Sequence, residues 1–152
     1  MKQAVILAGG KGTRLKEVSG NLPKPMVPVL GKPLLKHLIE QCVKYDITDI
    51  KLLVSYKKEV IENYFGNGSK YGATIQCIVE DTLRGTAGAL LDALPELDEQ
   101  FLVVYGDTFF DIDFNSFRLF HQNKAGDASI FLHPNDHPYD SDLVEVNSNF
   151  EV

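Results

Sequence analysis

The hydrophobic residues of this chain form short uninterrupted runs that alternate with runs at helical spacing. The first uninterrupted run, Ala-Val-Ile-Leu-Ala, ends at two glycines. A continuous apolar run of this length is typical of a strand that is covered on both faces of a parallel sheet. On this basis four strands are predicted, at residues 4–8, 50–54, 74–79 and 101–105.

The segments between these strands predict helices. Apolar residues recur every three or four positions, and Pro33 suits the first turn of a helix. A last helix, capped by Asn115 or Ser116, is expected to run to about Asn123. The earlier predicted helices are 33–45, 58–65 and 86–94. Strands that alternate with helices predict an α/β fold, here a Rossmann-like three-layer α/β/α arrangement around a mostly parallel sheet.

The last ten residues have a different pattern. Residues 143–146 and 150–152 read as strands on either side of Asn-Ser-Asn. This predicts a hairpin whose second strand is cut off by the end of the chain. We therefore expect the fold to be truncated at its C-terminus.

Composition and charge narrow the function. The 152 residues are 44% hydrophobic and carry a formal charge of −6. An acidic chain is not expected to bind nucleic acid, whose partners are normally basic. No apolar run approaches the roughly 20 residues that span a bilayer, so no membrane insertion is expected. No signal peptide is recognisable, which favours the cytoplasm. Cys42 and Cys77 lack a neighbouring cysteine and are predicted to be buried free thiols.

Parallel sheets bind ligands beyond the carboxyl ends of their strands. The residues at those places are Gly9 and Gly10 after the first strand, Glu80 after the third, and Gly106 and Asp107 after the fourth. We expect the ligand site to lie there.

The strongest chemical signal is the loop after the first strand, where residues 7–15 read LAGGKGTRL. Glycines allow backbone N–H groups to approach phosphates closely, while Lys11 and Arg14 add positive charge and Thr13 a hydroxyl donor. The loop lacks the third glycine of a Rossmann fingerprint and the GK[ST] of a Walker A motif. It is predicted to bind a polyphosphate.

A second motif, Leu-Pro-Lys-Pro-Met, follows at residues 22–26. Prolines on both sides restrict the backbone of Lys24, which lowers the entropy lost when its ammonium group is placed on a ligand. Taken alone, the segment favours a proline-rich turn that carries a solvated lysine. Its position soon after the glycine-rich loop favours a second phosphate contact.

Together the two motifs resemble those of the sugar-1-phosphate nucleotidyltransferases, whose signature is LAGGxGTRL followed by a PKPM-type element and GKP. Gly85-Thr86-Ala87-Gly88 and Gly106-Asp107-Thr108 continue the resemblance. It implies a fold of the nucleotide-diphospho-sugar transferase type, of which residues 1–152 would be the incomplete N-terminal, nucleotide-binding portion of the catalytic domain.

The resemblance also implies the substrates and the site. The substrates would be a nucleoside triphosphate and a sugar 1-phosphate, with Mg²⁺ as cofactor. The implied catalytic residues are Arg14, Lys24 and Asp107, with Asp107 as the metal ligand. A second metal carboxylate would come from later in the chain, so this fragment alone is expected to be inactive. The implied nucleotide-binding residues are Leu7, Ala8, Gly9, Gly10, Lys11, Gly12, Thr13, Arg14, Glu80, Gly85 and Thr86.

The base is expected to be guanine. In the family, a polar side chain after the third strand reads the base, and Glu80 is the candidate in this chain, ahead of Asp81. A carboxylate can accept two parallel hydrogen bonds from guanine N1–H and N2–H₂, which uracil and thymine do not offer. The segments 16–21 and 133–138 resemble the guanylyltransferases that act on D-glycero-D-manno-heptose 1-phosphate.

Other functions stay open. They are mannose-1-phosphate guanylyltransferase, other sugar or phosphocholine nucleotidyltransferases using dTTP, UTP or CTP, and a non-catalytic nucleotide-binding fragment. The Phe-rich segments 109–110 and 114–120 belong either to the core or to an interface between copies of the chain. A homo-oligomer therefore also stays open.

Overall fold

The structure is a computed structural model that describes residues 1–10, 22–80, 84–124, 126–134 and 143–152. The strands are β1 (Gln3–Leu7), β2 (Pro28–Val29), β3 (Lys32–Pro33), β4 (Asp49–Val54), β5 (Thr74–Val79) and β6 (Leu102–Tyr105). The α-helices are α1 (Leu34–Lys44), α2 (Lys58–Phe65), α3 (Gly85–Ala93) and α4 (Phe114–Lys124). Short 3-10 helices lie at Lys24–Met26, Ser69–Tyr71 and Leu94–Glu96.

The main sheet has four strands in the order β5-β4-β1-β6, and all of its pairs are parallel. The chain moves outward from β1 through β4 to β5 and then crosses to the other side of β1 to form β6. The strand order therefore reverses at β1. In open parallel sheets, the crevice beside such a reversal is where ligands bind.

Helices cover both faces of the sheet. On one face, α1 and α2 pack their apolar sides on residues such as Ile6 and Leu52, which are fully buried. On the other face, Ala89 and Ala93 of α3 pack against Val5 and Leu53. This is the predicted three-layer α/β/α arrangement. The two central strands, β1 and β4, are mostly apolar on both faces because each face has its own helical layer, with Gln3 and Lys51 as buried polar exceptions.

The predicted strands and helices up to residue 105 agree with the structure to within one or two residues, except around the prolines; the last helix and the C-terminal hairpin differ. The antiparallel pair β2–β3 and the 3-10 helix at Lys24–Met26 were not predicted. The predicted caps of the last helix, Asn115 and Ser116, are wrong. Asp113 is the cap, because its Oδ1 accepts the backbone N–H groups of Asn115 at 2.9 Å and Ser116 at 3.2 Å. The hydrogen bonds from Ser116 lower the pKa of Asp113.

One buried amide connects the sheet to the α3 side of the fold. Gln3 in β1 is only 2% exposed. Its Nε2 donates to Asp49 Oδ2 at 2.7 Å and to the Glu96 carbonyl at 3.0 Å. Its Oε1 accepts the N–H of Asp98 at 2.7 Å. The amide is therefore fully used although it lies in the interior.

The chain divides into two compact units, Met1–Arg118 and Leu119–Val152. In the second unit, Asn147 N–H donates to the Glu151 carbonyl at 3.0 Å, which closes the predicted turn. The predicted hairpin is wrong, because residues 143–152 contain no strand. The Asn147 side chain binds the N–H groups of Asn149 and Glu151, which competes with strand pairing. No helix in the described part of the chain is long and apolar enough to cross a membrane.

Candidate active site

A cleft of about 290 Å³ opens at the carboxyl edge of the sheet, beside the reversal at β1. It brings together predicted residues from four separate parts of the sequence. Ala8 is fully buried and is not among its lining residues. The predicted residues Lys11, Gly12, Thr13 and Arg14 lie outside the described ranges. The predicted residues that line the cleft are Leu7, Gly9, Gly10, Lys24, Glu80, Gly85, Thr86 and Asp107.

Lys24 and Asp107 form an ion pair in this cleft. Lys24 Nζ donates to Asp107 Oδ2 at 2.6 Å, although the two residues are 83 positions apart in the sequence. Their side chains are 31% and 39% exposed, so both remain accessible to a ligand. The lysine ammonium has three hydrogens, and only one is needed for this contact.

The backbone of Lys24 is held firmly. It begins a 3-10 helix in which Met26 N–H donates to the Pro23 carbonyl at 2.8 Å. Pro23 and Pro25 are fully buried on either side. Because the prolines fix φ and their rings are packed, the lysine is presented from a rigid segment. This agrees with the role that the proline pattern predicted for its backbone.

Asp107 owes its position to a close approach of two strand ends. Gly106 N–H donates to the Leu7 carbonyl at 3.0 Å. A Cβ atom at position 106 would lie only 2.7 Å from the same oxygen, which no real Cβ tolerates. Only glycine therefore lets the chain continue directly from β6 into the cleft. Asp107 Oδ1 faces the Thr108 hydroxyl at 3.4 Å, at the limit of a hydrogen bond.

Glu80 forms the opposite wall of the cleft. Its backbone N–H continues the sheet by donating to the Val54 carbonyl at 2.9 Å. Its Oε1 accepts the backbone N–H of Arg84 at 3.0 Å. A Cβ atom on Gly9 would lie 3.7 Å from Oε2, so this carboxylate oxygen packs beside the glycine backbone. Each oxygen of a carboxylate can accept two hydrogen bonds, and both can still accept from a ligand. Asp81, the weaker candidate, lies outside the described ranges.

The N-terminus of α3 closes the same wall. Gly85 has a φ of +74°, a left-handed conformation that favours glycine. The Arg84 side chain runs along the helix to form an ion pair with Asp92. It crosses Gly88, where a Cβ atom would lie 2.3 Å from the Arg84 Cβ. The hydrogen bond to Asp92 raises the pKa of Arg84. Through these contacts, Arg84 stabilises the first two turns of α3.

The donor set of the cleft is compatible with Mg²⁺. No group of three or more His, Cys, Asp or Glu side chains that could hold a metal occurs among the described residues. Mg²⁺ does not need such a cage, because it commonly uses one or two carboxylates and takes its other ligands from water and substrate phosphates. Asp107 offers an exposed carboxylate whose Oδ1 is not bound by Lys24. It therefore fits the role of a single protein ligand.

Sequence reasoning missed four lining residues, Pro25, Leu53, Ala89 and Tyr105. Two of them, Leu53 and Tyr105, can be inferred from the pairing of the strands. Leu7 pairs with Leu53 of β4 and with Tyr105 of β6, so the three residues form one row across the sheet. The side chains of such a row point to the same face. Once the strand order is known, Leu7 alone identifies the other two.

Comparison with known proteins decides which family has this arrangement. The model of the nucleotidyl transferase family matches residues 3–152. The chain belongs to this family. The resemblance inferred from the LAGGKGTRL and PKPM motifs is thereby confirmed.

Two relatives and one solved structure illustrate how similar the chain is to known proteins. The D-glycero-alpha-D-manno-heptose 1-phosphate guanylyltransferase of Campylobacter jejuni is 43% identical over 117 residues, which cover 77% of this chain and 52% of that protein. The bifunctional protein GlmU of Methanocaldococcus jannaschii is 43% identical over 114 residues, which cover 75% of this chain and 27% of that protein.

The solved structure is that of HddC from Yersinia pseudotuberculosis complexed with GMP-PN. It is 38% identical, with a TM-score of 0.71 over 80% of this chain and 54% of that chain. The three-layer fold inferred from the sequence agrees with it. The chain spans about half the length of HddC and of the Campylobacter relative, and less of GlmU.

Proposed function

We propose that this chain is the nucleotide-binding part of a sugar-1-phosphate guanylyltransferase. The reaction transfers GMP from GTP to a sugar 1-phosphate and releases pyrophosphate. The observation that carries the proposal is the Lys24–Asp107 pair, 2.6 Å apart, in a cleft that also contains Glu80. One ammonium and one carboxylate at the same place suit a substrate that brings both phosphate charge and a metal.

The chemistry needs charge neutralisation more than proton transfer. A sugar 1-phosphate has a second pKa near 6, so at neutral pH it is largely a dianion and needs no general base. One of its oxygens forms a bond to the α-phosphorus of GTP, and the bond from that phosphorus to the bridging oxygen of the β-phosphate breaks. The electron pair leaves with pyrophosphate. Catalysis by positioning and electrostatic stabilisation is typical of such transfers.

Lys24 and the predicted cations serve this step. Among the described residues that line the cleft, Lys24 supplies the positive charge, while Glu80 and Asp107 are negative. A triphosphate needs more positive charge than Lys24 alone, and Lys11 and Arg14 are the residues that we assign to provide it. Two hydrogens of the Lys24 ammonium stay available for phosphate oxygens while the third contacts Asp107.

Asp107 is the residue that would hold Mg²⁺. The ion would contribute positive charge next to the phosphate oxygens when it is bound. Asp107 itself fixes where that charge lies relative to the ammonium of Lys24. We propose that any further protein ligand comes from a part of the protein that follows Val152.

Glu80 is proposed to select guanine. Its carboxylate lies beside the Gly9 backbone and is oriented by the N–H of Arg84. In this orientation both oxygens can accept from N1–H and N2–H₂ of guanine. Uracil, thymine and cytosine do not present two donors on adjacent atoms in this way. The names of the Campylobacter relative and of the HddC complex, which contains GMP-PN, support the same base.

For the sugar, we propose D-glycero-α-D-manno-heptose 1-phosphate. The resemblance of segments 16–21 and 133–138 supports it, as does the name of the Campylobacter protein. Mannose 1-phosphate is the alternative. The product would be an activated sugar for surface polysaccharide, made in the cytoplasm. Association into a homo-oligomer stays a prediction, to be tested by light scattering.

The test is an assay of pyrophosphate release with each of GTP, ATP, UTP and CTP, and with dTTP, in the presence of Mg²⁺ and either sugar 1-phosphate. The chain of 152 residues is compared with a version extended to the length of its relatives. We expect the extended protein to prefer GTP and Glu80→Gln to reduce that preference by about tenfold, since a buried hydrogen bond to a charged group contributes about 1.5–3 kcal/mol. A preference for UTP or dTTP over GTP that is the same in the wild type and in Glu80→Gln would refute the assignment.

A further inference from the structure

His37 of α1 contacts both segments that carry the ion pair of the cleft. Its Nε2 donates to the Val29 carbonyl at 2.8 Å, in the antiparallel pair that follows Lys24. Its ring meets the ring of Phe109 edge-on, with the centroids 5.7 Å apart at an angle of 88°. Phe109 lies two residues after Asp107. One half-buried side chain thus joins two parts of the chain that are far apart in sequence.

Neighbouring residues of α1 extend this contact. Gln41 lies one turn further along the same helix face, and its Nε2 donates to the Ile112 carbonyl at 3.2 Å. At the start of the helix, Leu34 N–H donates to the Val27 carbonyl at 3.1 Å. Helix α1 therefore holds the segment after Lys24 at two points and the segment after Asp107 at two points. His37 is the residue that serves both.

The connections from His37 to the ion pair are short: Val29 is five residues from Lys24, and Phe109 is two residues from Asp107. On one side, Val27 N–H donates to the Lys24 carbonyl at 3.2 Å, and prolines on either side of Lys24 are buried. On the other side, Thr108 N–H approaches the Tyr105 carbonyl at 3.4 Å, which folds the chain back at Asp107. A displacement of Val29 or Phe109 is therefore expected to move Lys24 or Asp107 as well.

We propose that His37 is a positioning residue that sets the distance between the Lys24 ammonium and the Asp107 carboxylate. The inference rests on the proposed function, in which this pair binds the phosphates and the metal. His37 does not line the cleft, so it acts through the two segments. Its removal alters the geometry of the transferring phosphate more than the affinity for the nucleotide, which is also held by the glycine-rich loop and Glu80.

The kinetic test compares His37→Ala and His37→Gln in the extended protein. A misplacement of about 1 Å can cost about 100-fold in rate. We expect His37→Ala to lower kcat by about tenfold with less than about a twofold change in the KM for GTP. His37→Gln retains an amide donor for the Val29 carbonyl and is expected to recover about half of the loss on a logarithmic scale. His121→Ala, a histidine of α4 bonded to Ser129, is the control and should leave kcat unchanged.

Phe109→Leu keeps the proposal testable if His37→Ala does not fold. The Phe109 side chain is 57% exposed, so its replacement should be tolerated. It removes the ring contact with His37. A decrease in kcat with unchanged KM supports the proposal, and an unchanged kcat in both Phe109→Leu and His37→Gln overturns it.

A double-mutant cycle separates positioning from general damage. If His37 acts through the ion pair, adding His37→Ala to Lys24→Met costs little more than Lys24→Met alone. Additive losses would overturn the proposal, because they place the effect of His37 elsewhere.

A measurement on the free protein distinguishes this proposal from the proposed function. The NMR signal of the Lys24 ζ-ammonium group is recorded in the wild type, in His37→Ala and in Asp107→Asn. We expect His37→Ala to shift the signal toward its position in Asp107→Asn, and His121→Ala to leave it in place. If this shift occurs but no nucleotide is transferred, the positioning role stands and the proposed function fails. If transfer occurs and the signal does not move in His37→Ala, the positioning role fails alone.

Discussion

The Lys24–Asp107 pair makes a prediction about metal binding in the absence of nucleotide. In the free protein the lysine ammonium lies 2.6 Å from the carboxylate that we assign to Mg²⁺. The metal and the ammonium therefore compete for the same negative charge. Replacing Lys24 with Met should expose Asp107 to the metal and increase the affinity of the free protein for it.

The size of this effect follows from distance and exposure. Two unit charges 2.6 Å apart in bulk water attract each other by about 1.6 kcal/mol. Both side chains are about one-third exposed, so solvent, salt and the entropy of the side chains reduce the net value. Measured exposed pairs contribute about 0.2–1 kcal/mol, and 1 kcal/mol corresponds to about fivefold in affinity. We expect Lys24→Met to increase the affinity by about 1.4- to fivefold.

The assay is titration of the free protein with Mn²⁺, followed by electron paramagnetic resonance. Asp107→Asn should abolish the site, and Lys36→Met, which removes a surface lysine paired with Glu40, controls for net charge. With GTP present, Lys24→Met should instead weaken Mn²⁺ binding, because the phosphates that share the metal then lose their contact with the ammonium of Lys24. Equal or weaker Mn²⁺ binding by nucleotide-free Lys24→Met would refute the competition between ammonium and metal.

Two further predictions concern stability. Gly106→Ala should lower the free energy of unfolding by about 1–3 kcal/mol, because the new Cβ would lie 2.7 Å from a backbone oxygen of β1. The matched control is Gly10→Ala, where no atom lies within 4 Å of the added Cβ. In urea denaturation, this control should change the free energy of unfolding by less than about 0.5 kcal/mol. Burial raises the pKa of the Cys42 thiol from 9.0 to about 12. A raised pKa in the folded state means that the stabilisation is complete below pH 9 and is lost as the pH rises toward 12. Between pH 8 and pH 10 the wild type should therefore lose about 1.4 kcal/mol more stability than Cys42→Ala. Equal losses would show that the thiol is not shielded from solvent.

The strands and most helices could be predicted because their sequence patterns are strong. The uninterrupted apolar run of β1 and the helical spacing over α1 each have one good structural solution. The region between them contains four prolines and has no period, so the 3-10 helix at Lys24 and the pair β2–β3 had no signal. At α4, Asp113, Asn115 and Ser116 are all good capping residues, and the choice depends on which one precedes the first turn.

The residues of the site were predicted better than its geometry. Lys24, Glu80 and Asp107 were each found from local motifs at strand ends or between prolines. That the lysine touches Asp107 rather than Glu80 depends on β6 lying next to β1, a long-range pairing that no local pattern contains. The role of Arg84 also required the structure, since its partner Asp92 is two helical turns away. His37 had no chemical signal, because its partners are a backbone carbonyl and a phenylalanine.

The buried amide of Gln3 has a consequence for how the sheet is assembled. Parallel strands are joined by long crossovers, so no tight turn fixes how far one strand slides past the next. A slip of β1 by one residue would turn Gln3 to the opposite face of the sheet. Its amide would then lose Asp49 and the Glu96 carbonyl, and each unpaired buried group would cost about 1–3 kcal/mol. Gln3 thus sets the register of β1, as a tight turn does in a hairpin, and with it the place where the glycine-rich loop begins.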